Sequence, residues 1–324
     1  MEPDNGLITA YVLDGEGGGR EIDWRGVREW SPGDGVLWVH LDYTQGDAQH
    51  WLWRESGLDA HICEALLAEE TRPRSVVMRQ GMLVTLRGVN LSPGADPEDM
   101  VSLRMWINSE RIITTRRRRL LAVTDVCNAI GRGQGPRSPG ELLVMVADRM
   151  ADRIADVVET IDNIVDALEE QVITRESHQL RSSLARARRQ AITLRRYLAP
   201  QREALSRLYI EKVPWLTDLD TIRIREITDQ TTRYVEDLDA ARDRAAVTHE
   251  ELASRLSEAL ERRMFLLSVI AAVFLPLSFI TGLLGINVGG IPGAEDPLGF
   301  VIVLLAMAVI LVIQLWFFKY KRWF

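Results

Sequence analysis

Along the first 135 residues, apolar positions alternate with polar ones or gather in short β-branched runs: LITAYVL at 7 to 13, VLWVHLDY at 36 to 43, MLVTLRGV at 82 to 89, SLRMWIN at 102 to 108 and RIITT at 111 to 115. A period of two in Val, Ile, Thr and aromatic residues predicts strands, with SERI supplying a hairpin turn between the last two. Between these runs, DAQHWLWRESG (47 to 57) and LDAHICEALLAEE (58 to 70) carry helical spacing. Residues 1–135 therefore read as an α/β domain, closed by the Gly/Pro-rich linker GRGQGPRSPG at 131 to 140.

The pattern then changes period. After Gly140 the next glycine is Gly282, and only Pro200 and Pro214 interrupt the chain before Pro276. Helix is expected throughout: a helical region over 136–214 and a stalk helix over 215–263. Residues 215 to 275 contain neither Gly nor Pro, and at 1.5 Å per residue one helix there is about 90 Å long. Ile227, Thr231, Tyr234, Leu238, Ala241, Ala245, Thr248 and Leu252 recur at alternating steps of four and three, the repeat of a left-handed helical bundle. A seam this small and polar fits two arrangements: helices lining a wet funnel, or a packing face against Ile154 to Leu168.

From Met264 to Phe318 the only ionisable side chains are Glu295 and Asp296. Residues 264–286 make a helix of about 35 Å, enough for a hydrocarbon core of about 30 Å, and 298–318 make a second span. Residues 287–297 form the external, periplasmic loop between them, and 319–324 a basic tail. Arg262 and Arg263 before the first span, with Lys319, Lys321 and Arg322 after the second, place both termini in the cytoplasm by the positive-inside bias. The start, MEPDNGLITAYVLDGEGG, has neither the basic nor the apolar segment of an export signal, so the large domain is expected inside the cell.

Net charge is −7, carried almost wholly by the soluble part, which argues against nucleic acid and suits attraction of cations. The run RRRR at 116 to 119 has no basic companion and reads as a surface patch. Cys63 and Cys127 lie far apart without metal-site spacing and read as buried small apolar residues. Of the histidines (His40, His50, His61, His178, His249), only His249 beside Glu250 makes a cytosolic metal candidate; the other reading is a solvated helix face. No Walker loop, Ser/His/Asp arrangement or dinucleotide fingerprint is present, so no enzyme is expected.

Two spans per chain cannot enclose an aqueous path, so a conduit requires a homo-oligomer. In the first span Met264, Leu267, Ser268, Ala271, Leu275, Ser278, Gly282 and Gly285 recur at three and four, a face of small or weakly polar groups fit to line a pore or to pack helices. The second span is apolar apart from Gln314 and suits lipid. Pro276 removes the backbone bond to the Ala272 carbonyl, which bends the span or leaves that oxygen open. Gly285, Ile286 and Asn287 close the first span; a ring of Asn amides with glycine-exposed carbonyls holds a hydrated divalent cation without stripping its waters. Glu295 and Asp296 form either an acidic ring at this entrance or a solvated turn.

This order of parts resembles the CorA family of metal-ion transporters, and within it the ZntB-type zinc transporters, which WVHLDY (38 to 43), ETRPR (70 to 74), RRYLAPQR (195 to 202) and FLPLSFITGLLGINVGGIPG (274 to 293) also resemble. Gly-Met-Asn is the form of the family's magnesium channels, and here Ile286 takes the middle position. The resemblance implies an α+β cytoplasmic domain, a long α-helical stalk and two transmembrane helices, assembled as a funnel-shaped homopentamer in the bacterial inner membrane. It implies that the first spans line the pore, with Asn287 at the entrance and Met264, Leu267, Leu275 and Ser278 facing the axis. It further implies Zn2+ as transported substrate, no prosthetic group, proton-coupled uptake, and as partners the lipid bilayer, hydrated divalent cations and protons.

Neither span offers Cys, His or carboxylate, the ligands zinc prefers, so the ion is expected to cross hydrated, and the pore residues do not separate zinc from magnesium, cobalt or nickel. Coupled protons travel by water, with the ion, or by exchange at Glu295, Asp296, Glu258 or Glu261. Two other readings stand beside this one: a CorA-type Mg2+/Co2+/Ni2+ channel, and a non-conducting membrane-anchored sensor.

Overall fold

The computed structural model describes residues 5–69, 71–78, 81–174, 178–285 and 297–321. The chain divides into two compact units, Met1–Glu250 and Glu251–Phe324.

In the first unit seven strands form one open sheet in the order β2-β1-β3-β7-β6-β5-β4. They are β1 (Leu7–Leu13), β2 (Gly19–Glu21), β3 (Val36–Asp42), β4 (Arg74–Met78), β5 (Gly81–Gly88), β6 (Val101–Ile107) and β7 (Arg111–Arg116). All neighbours are antiparallel except β3 and β7, which run parallel with Trp38 opposite Ile112 and His40 opposite Thr114. Alternation along each strand gives the sheet two apolar faces. One carries Ala10, Val12, Leu37, Val39, Leu83, Trp106 and Ile113 under α1 (Trp24–Glu29), α2 (Gly46–Arg54) and α3 (Ala60–Leu67). The other carries Leu13, Trp38, Met82, Val84, Met105 and Ile112 under α4 (Leu121–Gly131), α5 (Pro139–Thr174) and the start of α7 (Asp218–Leu284). Each fully buried side chain of this size contributes about 1.5–3 kcal/mol, which is why the strand runs dominate the sequence signal.

The sequence pattern overlooks β2, α1, β4 and α4. β2 has three residues, and α1 is a six-residue helix with a central glycine, held by the Asp23 carboxylate accepting from Gly26 N–H at 2.9 Å. β4 is an edge strand with two exposed valines, too polar on one side and too apolar on the other to show alternation. The hairpin turn is centred on Asn108 to Glu110, slightly before SERI: Asn108 Oδ1 accepts from the N–H groups of Glu110 and Arg111 at 3.0 and 2.8 Å. α4 ends in a Schellman arrangement, Gly133 N–H to Ile130 O and Gln134 N–H to Ala129 O. Gly133 sits at φ +68, where an L side chain is strained.

Three helices follow: α5, α6 (His178–Ile210) and α7. Pro139 opens α5 at the position where its missing N–H costs nothing. α6 runs through Pro200, and the next residue docks it: Gln201 Oε1 accepts from Arg87 N–H at 2.6 Å while the Arg87 guanidinium lies 4.1 Å over the Tyr197 ring. The RRYLAPQR stretch is thus an attachment to β5. A reciprocal cap starts α7, with Thr217 donating to Asp220 Oδ2 from its N–H (3.0 Å) and hydroxyl (2.7 Å) and accepting from Asp220 N–H at 3.1 Å.

The seam of α7 is a packing face. Ile227, Thr231, Leu238, Ala241, Ala245 and Thr248 are all buried and Tyr234 is half-buried, so the wet-funnel reading of these residues gives way to close helix packing. Ala245 shares a crevice with Leu184 and Ala185 of α6, and Tyr234 one with Ala155 and Val158 of α5. The polar members need no water: Thr231 and Thr248 donate to the carbonyls of Ile227 and Arg244, four residues earlier, at 2.8 Å each. Arg244 then ties α7 to α5, bonding Asp162 (2.9 Å), Asp166, and both oxygens of Glu169 (3.1 and 2.9 Å).

Truncating a seam residue tests this assignment. Leu238→Ala is expected to cost about 2–4 kcal/mol, read as a drop of several degrees in the thermal midpoint of the full-length protein in detergent. A midpoint unchanged within error would return Leu238 to a solvent-facing role.

Candidate ion pathway

α7 carries the first apolar segment and α8 (Gly299–Tyr320) the second. Of their most apolar windows only 6% and 0% is buried within the chain; a water-soluble fold would bury such helices, so these demand another apolar solvent.

Most of the first segment is exposed within the chain, Phe265, Leu266, Ile270, Phe274 and Phe279 included, and a few positions are covered. Met264, Leu267, Ser268, Ala271, Leu275, Ser278, Gly282 and Gly285 are all exposed, with Leu275 at 69%. Val269 is buried, and Ala272, Val273, Leu277 and Ile280 are half-buried. On α8 a matching stripe of Val303, Met307, Ile310, Leu311 and Gln314 is half-buried, ending in buried Phe318. Within the membrane unit each span therefore has a covered side, and the small-residue stripe is on the other. Two hydroxyls of this segment bond within the helix: Ser268 Oγ donates to Met264 O at 2.9 Å, and Thr281 Oγ1 to Leu277 O at 3.1 Å. Gln314 Oε1 is enclosed and lacks a hydrogen-bond partner among the described residues. Helix geometry continues through Pro276. Ile286, Asn287, Glu295 and Asp296 lie outside the described residues.

Helical spacing orders the covered and exposed positions of the second unit. Leu252 is buried, Arg255 and Ala259 are half-buried, and Val269, Val273 and Ile280 continue that side. Two positions along, about 200° round the helix, Ser254, Glu261, Ala271, Leu275 and Gly282 are exposed. In the first unit the positions two beyond Ile227, Tyr234, Ala241 and Thr248 are Asp229, Glu236, Asp243 and Glu250, and all four are exposed. Glu250 thus belongs to a solvated, acidic helix face.

His249 does not gather metal ligands. Its Nε2 accepts from Arg181 Nε at 3.3 Å, and its crevice is shared with Arg188 and Arg189, cations that repel a divalent ion. Among the described residues no three His, Cys, Asp or Glu side chains converge; within the chain His249 is hydrogen-bonded to an arginine and Glu250 is on exposed helix surface. Cys63 is buried, its Sγ donating to Leu52 O at 3.1 Å. Cys127 is half-buried, and burial pushes its thiol up to about 11. The arginine run is only partly surface: Arg117, Arg118 and Arg119 are exposed, whereas Arg116 is buried and donates to His40. Strand register was the missed signal, since Ile112, Thr114 and Arg116 share one face of β7.

The sequence pattern of the family described as CorA-like Mg2+ transporter protein matches residues 33–322. The chain is 42% identical to the divalent cation transporter CmaX of Pseudomonas aeruginosa, over 99% of this chain and 97% of that one. It is 36% identical to the zinc transport protein ZntB of Yersinia enterocolitica, over 98% and 95% of the two chains. The structure of full-length CmaX superposes with a TM-score of 0.86 at 40% identity, covering 99% of both chains. The CorA magnesium transporter of Methanocaldococcus jannaschii shares the fold with a TM-score of 0.81 at 18% identity, covering 97% of this chain and 98% of that one. With near-complete coverage, two apolar C-terminal helices and the α/β unit before them, the chain belongs to the CorA-like family of metal-ion transporters.

Proposed function

We propose that this protein carries hydrated Zn2+ into the cell across a bacterial inner membrane, as a homopentamer whose first spans surround the path. In this reading residues 1–263 and 319–324 are cytoplasmic, 264–286 and 298–318 span the bilayer, and 287–297 face the periplasm. The observation that supports it is that Met264, Leu267, Ser268, Ala271, Leu275, Ser278 and Gly282, the small and weakly polar row of α7, are all exposed within the chain, whereas the positions covered by it, Val269, Ala272, Val273, Leu277 and Ile280, fall on the other side of the helix. A stripe of small and weakly polar groups brought around an axis gives a narrow pore with apolar constrictions at Met264, Leu267 and Leu275 and hydroxyls between them.

At the outer end Gly285, Ile286 and Asn287 hold the hydrated ion through amide and carbonyl oxygens, under the carboxylates of Glu295 and Asp296. Long-range attraction to such a ring raises the local cation concentration, and the exposed carboxylates of Glu236, Asp243 and Glu250 favour cations on the cytoplasmic side. Direction needs no nucleotide: a divalent ion entering an interior 100 mV negative gains about 4.6 kcal/mol. The spans contain no titratable group, so proton coupling runs through water or through exchange at Glu258, Glu261, Glu295 and Asp296.

Zinc is favoured by the ZntB relatives at 36% identity over 98% of the chain. The second reading, magnesium with cobalt and nickel, is favoured by the family description. The decisive experiment is zinc entry into proteoliposomes holding a zinc-sensitive dye, with magnesium entry measured in parallel. Wild type is expected to admit zinc and Asn287→Ala to lose at least about 90% of the rate, equivalent to about 1.4 kcal/mol. Magnesium entry without zinc entry would select the second reading, and entry of neither ion the non-conducting sensor.

Two further outcomes follow from the same reading. With Cys127 replaced by Ser, Leu275→Cys is expected to react with a charged thiol reagent and block transport, whereas Val269→Cys, on the covered side, stays unreactive; equal reactivity would dissociate the exposed stripe from the path. Neutralising Glu258, Glu261, Glu295 and Asp296 together is expected to abolish the response of zinc entry to an inward proton gradient, and its survival would remove these carboxylates from coupling.

A further inference from the structure

α5 and α6 carry opposite charge. α6 has eight arginines against Glu203 alone, whereas α5 has nine carboxylates against Arg149 and Arg153. Part of this charge is neutralised inside the chain, where Arg195 bonds Asp239 at 2.6 Å and Arg244 takes up Asp162, Asp166 and Glu169. The remainder is on the surface. Among the described residues Arg186, Arg188 and Arg189 are exposed or nearly so and have no ion-pair partner, and the same holds for the exposed Asp156, Glu159 and Asp237. Arg186 with Arg189, and Asp156 with Glu159, are three residues apart on one helix face, so each set repels itself until an opposite charge meets it.

Each set borders a crevice on one flank of α7. The crevice of about 300 Å3 between α6 and α7 has an apolar floor of Leu184 and Ala245, with Arg188, Arg189 and the exposed Ile192 around it. The crevice of about 530 Å3 between α5 and α7 has Val158 at its floor and Glu159, Asp162 and Asp237 around it. A helix turns about 100° per residue. Counted from Asp243 in the acidic row, Ala245 and His249 therefore lie about 120–160° round one way, and Asp237, Ala240 and Arg244 about 60–120° round the other. The basic and acidic crevices thus flank that row on opposite sides.

Their heights along α7 overlap as well. Arg195 bonds Asp239 and Arg181 bonds His249, which puts Arg188 and Arg189 between those two levels. The acidic crevice spans the levels of Tyr234 to Arg244. Val247 is 66% exposed. It projects from the acidic flank's side of the row, an apolar knob at the height of Ala245 and His249. A contact between two different surfaces is heterologous, and repeated by rotation it closes into a ring. Rotation about an axis along α7 leaves heights unchanged, so groups at one level of one copy meet that level of the next.

We propose that the α6 flank of one copy docks on the α5 flank of a second copy of this chain, Arg188 and Arg189 meeting Asp156, Glu159 and Asp237. Val247 of the second copy enters the apolar crevice beside Ile192. Resting on the homopentamer reading, this contact determines which surfaces meet and leaves the row of Glu236, Asp243 and Glu250 facing the axis.

Cross-linking of the full-length protein in detergent tests this contact, in a chain with Cys127 replaced by Ser; Cys63 is buried. The double variant Arg189→Cys, Glu159→Cys, both at exposed positions, is expected to give a ladder ending at the pentamer with a flexible bis-maleimide. Either single variant stays unlinked, because a heterologous contact never brings a residue to its own copy. Adding Arg188→Glu to the double-cysteine chain should slow linking at least about tenfold, since like charges then face each other, and Asp156→Lys beside it should restore the rate. Light scattering on the same samples separates the interface from the assembly. A pentamer whose double variant stays unlinked, single variants that link as readily as the double, or linking undiminished by Arg188→Glu would each overturn this interface and leave the pentamer standing. A linked ring of another size would keep the interface and overturn the pentamer, and a mass of one chain would overturn both.

Discussion

Burial of one face of α7 governs how the remaining surface of that helix is used. Ala241 and Ala245 are small enough to let neighbouring helices approach closely, Leu238 fills the space beside them, and Thr231 and Thr248 avoid a dehydration cost by bonding the carbonyl one turn back. Once that face is committed, helix periodicity determines which positions remain outside. In the first unit the outside row is acidic, and in the apolar segment the row opposite Val269 and Val273 is small and weakly polar. Helical spacing therefore supplies both an acidic surface and a row of small residues without any special local structure.

Charge reinforces that packing. Arg244 meets three carboxylates of α5, an arrangement with bidentate geometry at Glu169 that outweighs an isolated surface pair. α6, by contrast, is attached by a mixture of packing and single directed bonds, such as Gln201 to the backbone of β5. These contacts set the rotation of each helix more than they add stability, because most of the stabilisation comes from the two apolar faces of the sheet.

The relatives place this architecture among transporters named for different ions: a divalent cation for CmaX, zinc for ZntB and magnesium for CorA. That spread agrees with spans lacking Cys, His or carboxylate. A pore that leaves the hydration shell in place has few means of distinguishing ions of equal charge, and discrimination then depends on oxygen positions at the entrance and on the strength with which each ion holds its waters.

Local chemistry made much of this readable in the chain. Two uncharged runs of more than twenty residues mean bilayer spans because hydrocarbon excludes charge, and a long interval without Gly or Pro means helix because nothing interrupts the backbone ladder. The stripe from Met264 to Gly285 was legible as a periodicity. Its partner face was not, since Val269 and Leu266 are equally apolar and only packing distinguishes them. Likewise the Ala and Thr seam fits two environments until neighbouring helices remove its water. RRRR looks like a surface patch until the β7 register turns Arg116 inward onto His40, and His249 looks like a ligand until α6 brings Arg181 beside it. Sequence by itself determined the type of the long elements and their solvent class, because those follow from composition and spacing along one chain, and its motifs carried the family resemblance. Tertiary structure alone decided which face is dry and which charges meet, because burial and pairing depend on residues far apart in sequence that only the fold brings together.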